Sequence, residues 1–238
     1  MWPAPLIWLA LPVSAIQGLL LRRTATRLPG AAGERRGSSG RGEPLELLAL
    51  GDSIIDGVGI EQIEDALAVQ FAESLAQTTG RRVHWRIEGQ SGLDCAAVCE
   101  RLDALEQSYV PDLVLLSVGV NDVTGLSSAR RWRHRLTILL LRLQNRWPRA
   151  RILFAGLPPM ERFPLPPQPL RSTLGWRSAV FDRLAQQLIA SMPGVRHVPT
   201  RIDPLEQAFC ADGFHPSAES CTLWARELAV IESRSESV

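Results

Sequence analysis

A serine becomes a nucleophile where a base can take its proton, a third group holds that base, and fixed donors meet the oxyanion. The 238-residue chain places two serines in turns after apolar runs, Ser53 in "GDSIIDGVG" (51–59) and Ser91 in "EGQSGLD" (88–94). The base must come from four histidines. His84 and His197 fall inside expected strands, and His134 inside an arginine-rich helix. His215 lies in the polar stretch "DGFHPS" before the last helix, three residues after Asp212. At that spacing a carboxylate can turn back onto the imidazole Nδ1–H and set its tautomer. The same Asp-Gly pair is also an ordinary turn former.

Donors for an oxyanion have candidates as well. Gly92 follows a strand and precedes a helix, where backbone N–H groups point outward. Asn121, in "GVND" (119–122), brings a side-chain amide to the end of the central strand. Taken singly, Gly92 also reads as a turn residue and Asn121 or Asp122 as a helix N-cap. Ser91 does not sit in G-x-S-x-G, because "GQSGL" ends in Leu93. Gly57 and Gly59 make a poor dinucleotide fingerprint, since the third glycine is missing.

These residues need a scaffold that brings them to one edge. From Glu43 onward short apolar runs alternate with amphipathic stretches. Strands are expected at 45–51, 83–89, 111–119, 151–156 and 195–199, and helices at 66–80, 94–105, 127–147, 172–191 and 217–232. Near-continuous apolar strands separated by single helices specify a parallel sheet covered on both faces. Ligands in such sheets bind beyond the carboxyl ends of the strands, where Ser53, Gly92, Asn121 and Pro158 all fall.

Together the four stretches resemble the GDSL, or SGNH, hydrolase superfamily: "GDS", "SG", "GVND" and "DGFHP" occur in the family's order across 45–232. The resemblance implies a flavodoxin-like three-layer α/β/α sandwich with a five-stranded parallel sheet. It implies a cofactor-independent, metal-free serine esterase. Ser53 would be the nucleophile, His215 the base and Asp212 its orienting partner, with Ser53 N–H, Gly92 N–H and the Asn121 amide as the oxyanion hole. Two positions depart from the family pattern. Ile54 stands where the name motif has Leu, and "SGLD" replaces the usual acidic residue and Thr or Ser after the glycine. The resemblance gives Asp52, Asp56 and Asp122 loop hydrogen bonds and no catalytic part.

Composition narrows the partners. All 26 basic residues are arginine and the net charge is +1, which excludes a nucleic-acid binder that works by bulk charge. Cys95, Cys99, Cys210 and Cys221 fit no zinc spacing. Cys95 and Cys99 read as buried small residues, and Cys210 and Cys221 as a candidate bridge. Residues 1–22 form an apolar segment, read as a candidate membrane anchor over 2–21; 23–42 read as an Arg/Gly/Ser-rich linker and 43–238 as the hydrolase domain. Pro3, Pro5 and Pro12 work against a spanning helix, and the arginines that follow it favour the cytoplasmic side over export. The loop 157–170, with six prolines plus Leu157, Met160, Phe163 and Leu165, suits an apolar wall beside the site. Helix 127–147 carries six arginines on one face, a second candidate for membrane contact. The expected substrate is a lipid-like acyl ester. A carbohydrate O-acetyl ester, or no substrate at all in a membrane-tethered binding module, are the alternatives.

Overall fold

Alternate side chains of each buried strand face opposite sides of a sheet, so one apolar run feeds two cores. In the second strand Leu48 and Leu50 enter one core while Leu45, Leu47 and Ala49 enter the other. The computed structural model describes residues 4–200 and 206–236; residues 1–3 of the expected N-terminal segment lie outside them. In chain order the elements are α1 (Ala4–Thr24), β1 (Arg36–Ser39), β2 (Pro44–Gly51), α2 (Ser53–Asp56), α3 (Leu67–Thr79), β3 (Arg82–Gly89) and α4 (Cys95–Asp103). There follow β4 (Leu113–Ser117), α5 (Val120–Thr124), α6 (Ala129–Arg146), β5 (Arg151–Ala155), α7 (Leu170–Ile189), β6 (Val195–Val198) and α8 (Ala218–Glu236).

The sheet order is β1-β3-β2-β4-β5-β6. Its five parallel strands follow the flavodoxin-like order, which reverses direction between β2 and β4. The layers are α3 and α8 on one face and α4, α6 and α7 on the other. On α6, Trp132, Leu136, Leu139, Leu140 and Leu143 are buried as the periodicity predicts, and Trp132 stacks on Phe181 of α7 at 5.5 Å. Each such burial contributes about 1.5–3 kcal/mol.

Among the described residues the sheet has six strands rather than five. β1, inside the stretch expected as a linker, pairs antiparallel with β3, Gly37 opposite Trp85. "RGSS" has little strand propensity of its own. What holds it is the open edge of β3 and the Trp85 ring: a Cβ on Gly37 would come within 2.3 Å of Trp85 Cζ2, so only glycine lets the indole lie across the backbone. The N-terminal segment also differs from a free anchor. It is helical through Pro12 and lies on α7, with Ser14 Oγ 3.0 Å from Thr173 Oγ1. No described helix is long and apolar enough to cross a membrane.

The arginine face of α6 is divided. Arg135 pairs with Asp94 at 2.8 Å, Arg142 with Asp103 at 2.6 Å, and Arg146 donates to the carbonyls of Leu102 and Leu105. Arg130, Arg131 and Arg133 stand exposed. All four cysteines are free; Cys210 Sγ donates to the Pro216 carbonyl at 3.1 Å, and Cys95 and Cys221 are buried.

Candidate active site

β2 ends where Asp52 N–H donates to the Ser117 carbonyl of β4 at 3.1 Å, and the chain turns at once into α2. Asp52 is the N-cap of that turn, its Oδ1 accepting from Ile54 N–H at 3.2 Å. This places Ser53 in the first turn of α2, at the carboxyl edge of the sheet, with its side chain largely buried.

The partner comes from the far end of the chain. Asp212 folds the segment 212–215 on itself: Oδ1 accepts from Phe214 N–H (2.9 Å) and His215 N–H (3.0 Å), and Oδ2 lies 2.6 Å from His215 Nδ1. One carboxylate therefore forms the turn and holds the ring, so both readings of the Asp-Gly pair are true at once. The other ring nitrogen, Nε2, lies 3.0 Å from Ser53 Oγ. Burial acts to raise the Asp212 carboxyl, but the His215 hydrogen bond and two backbone donors overcome it and hold the group below its ordinary value. Asp212 thus stays ionised beside the imidazole.

Gly92 sits in the turn after β3 with φ of +87°, a conformation that glycine supplies without strain. The turn is held from below: Gln90 N–H donates to the Gly51 carbonyl, and Ser91 N–H to Asp56 Oδ2 at 3.2 Å. Asp56 is itself paired with Arg35 at 3.1 Å, so its part is to anchor the glycine loop. Asn121 donates from Nδ2 to the Leu93 carbonyl at 2.9 Å, which ties α5 to the same loop. Asp122 accepts from Cys95 N–H at 2.9 Å at the start of α4. Ser91 is exposed, and among the described residues no imidazole bonds to it.

Asp52 is the residue whose environment the motifs did not reveal. It is 1% exposed, Oδ2 has no hydrogen-bond partner among the described residues, and burial pushes its carboxyl up to about 7. The Ile54 N–H and the attraction of His215 pull the other way.

The cavity beside Ser53 and His215 is walled by Val118, Val120, Leu157, Phe163, Phe214 and Trp224. Phe163 stands edge-on to Phe214 with ring centroids 5.1 Å apart, and Leu165 N–H donates to the Gly213 carbonyl at 3.1 Å. The proline-rich loop is therefore bonded to the turn that carries His215. Met160, expected in that wall, is wholly buried in the core. Behind the wall lies a second His–Asp pair: His197 Nε2 is 2.7 Å from Asp182 Oδ1, which also accepts Leu157 N–H at 2.8 Å. Asp182 lies on α7 and His197 on β6, so no local spacing signals the pair. Among the described residues no group of three His, Cys, Asp or Glu side chains could hold a metal ion.

The fold and this row of side chains define a class: an α/β/α sandwich with serine, histidine and aspartate aligned at the carboxyl edge of its sheet. The chain belongs to the GDSL-like lipase/acylhydrolase family, whose pattern matches residues 49–220. It is 29% identical over 191 residues to a GDSL-like esterase of Mycobacterium tuberculosis, a match covering 76% of this chain and 59% of that relative. Its fold is similar to that of a psychrotrophic esterase from a Pseudoalteromonas species, solved in a form inhibited by monoethylphosphonate. The TM-score is 0.62 at 18% identity, covering 80% of this chain and 97% of that one. A family two carbohydrate esterase of Corynascus thermopiles superposes with a TM-score of 0.62 at 14% identity, covering 84% of this chain and 68% of that one.

Proposed function

We propose that the protein is a serine carboxylic ester hydrolase that works through an acyl-enzyme on Ser53. The observation that carries this reading is the unbroken row from Ser53 Oγ to His215 Nε2 (3.0 Å) and from His215 Nδ1 to Asp212 Oδ2 (2.6 Å). Family membership and the esterase relative support it.

Ser53 Oγ attacks the ester carbonyl while His215 Nε2 takes its proton, and the ionised Asp212 steadies the imidazolium that forms. The tetrahedral oxyanion is met by Ser53 N–H, Gly92 N–H and Asn121 Nδ2, which carries two hydrogens and uses one on Leu93. Nε2–H then protonates the departing alkoxide. Water enters, gives a proton to Nε2 and attacks the acyl carbon; the second intermediate then expels Ser53 Oγ, which takes that proton back from Nε2, and the free acid leaves.

The first choice of substrate is a lipid-like acyl ester, because the cavity wall is aliphatic and aromatic. Its volume is about 20 Å³, room for roughly one water. That volume favours a second reading, an O-acetyl esterase acting on a small acyl group; a longer chain needs Phe163 and Phe214 to part. Rates on p-nitrophenyl esters from acetate to palmitate distinguish the two. A kcat/KM that rises with chain length supports the first reading, and one that falls steeply after acetate supports the second. No turnover of any ester by the wild type, or turnover that survives in Ser53→Ala, contradicts both.

A further inference from the structure

Helices that pack on a domain ordinarily turn apolar residues inward. Among its described side chains α1 instead sends polar groups inward beside Leu21 and leaves most of its apolar ones outside. Ser14, 3% exposed, bonds to Thr173, and the Gln17 amide clasps the backbone on both sides of Pro169, donating to the Gln168 carbonyl (2.8 Å) and accepting from Leu170 N–H (3.1 Å). These positions, with Leu21, make the inner face. The outer face presents Val13 (49% exposed), Ile16 (60%), Leu19 (61%) and Leu20 (55%), four of the nine large apolar side chains exposed among the described residues.

The stripe continues toward the site. Arg22 donates to the Thr124 carbonyl at the end of α5 (2.7 Å), and two residues on stands Leu126, 69% exposed and held at φ +62°. α1 therefore runs along the rim that joins the wall loop 157–170 to α5, which bears Asn121. Arg22, Arg23 and Arg27 follow the stripe, all exposed, and no acidic residue precedes Glu34. An apolar face bordered by cations alone is complementary to an anionic bilayer surface, with the acyl layer for the stripe and the headgroups for the arginines.

We propose that α1 docks the protein flat on anionic lipid, its apolar stripe and Leu126 entering the interface without crossing it. This deepens the lipid-ester reading, on which it rests only for its purpose: the rim of the cavity would lie at the surface where acyl esters partition.

The test is co-sedimentation of the full chain with vesicles of phosphatidylcholine, with and without phosphatidylglycerol. The full chain should bind the phosphatidylglycerol vesicles, less strongly as salt is added. The double variant Ile16→Glu/Leu20→Glu should bind at least about tenfold more weakly. Arg23→Gln/Arg27→Gln should lose the preference for phosphatidylglycerol. Both variants should hydrolyse p-nitrophenyl acetate at the wild-type rate, which shows that the domain is folded and separates docking from catalysis. Wild-type protein that stays in the supernatant, or binding unchanged by the glutamates, overturns the proposal. So does a concentration-dependent dimer abolished by the glutamates, which would assign the stripe to a second copy.

Discussion

Among the described residues stand two His–Asp pairs of nearly equal geometry, 2.6 Å between His215 and Asp212 and 2.7 Å between His197 and Asp182. They differ in what the second ring nitrogen meets. Nε2 of His215 faces a serine hydroxyl at a cavity, whereas Nδ1 of His197 is buried with no hydrogen-bond partner among the described residues. They differ also in what else the carboxylate holds. Asp212 organises its own turn; Asp182 takes the N–H of Leu157 and so fixes the cavity wall. Both pairs share the same bond; what sets the His215 pair apart is the hydroxyl on the far side of its ring, on which the proposed chemistry rests.

The largest expected contrast comes from the same substitution in each pair. Asp212→Asn should lower kcat/KM by about 10⁴-fold, because the amide favours the wrong imidazole tautomer. Asp182→Asn keeps an oxygen for Leu157 N–H and should leave kcat/KM within about tenfold, at a cost of about 1–2 kcal/mol in stability. Steady-state rates and urea unfolding of the two variants test this. Equal losses of activity would erase the distinction between the pairs.

A smaller effect is expected on the oxyanion side. In the proposed mechanism Asn121 is a donor that acts in the transition state, so Asn121→Ala should lower kcat about 10²–10³-fold with KM little changed. Since Asn121 also ties α5 to the Gly92 loop, circular dichroism should show an intact fold. A normal kcat would leave Asn121 as a tie between loops.

The smallest effect concerns Asp52, the buried carboxyl on the Ser53 side of the ring. Its folded pKa, about 7, lies above the ordinary value of 3.8, so the folded state holds the proton that the unfolded chain releases. Stability should therefore fall as pH rises from about 4 to about 7 and then level off, by up to a few kcal/mol. Asp52→Asn cannot ionise and should remove that slope, gaining on the wild type over this window. Unfolding midpoints at pH 4, 6 and 8 read it directly; parallel profiles would mean that Asp52 is ionised without cost.

What the sequence made legible was local. The Asp212-to-His215 spacing and the near-continuous apolar run of β2 each lie within a few residues, and each is found as read. What it hid depends on partners far along the chain. β1 exists because an open edge and the Trp85 ring recruit a Gly/Ser stretch of no strand character. The inward face of α1 is set by Thr173, Gln168 and Leu170, some 150 residues away, so nothing local marks Ser14 and Gln17 as its contacts. The resting role of half the α6 arginines follows from acids and carbonyls on α4 and on either side of it.

Whether Ser53 alone is activated is read directly by mass-spectrometric mapping of a fluorophosphonate adduct on wild type, Ser53→Ala and His215→Ala. One adduct is expected on the peptide bearing Ser53, none in Ser53→Ala, and labelling slowed by orders of magnitude in His215→Ala. An adduct on Ser91, or labelling that persists in Ser53→Ala, would contradict that expectation.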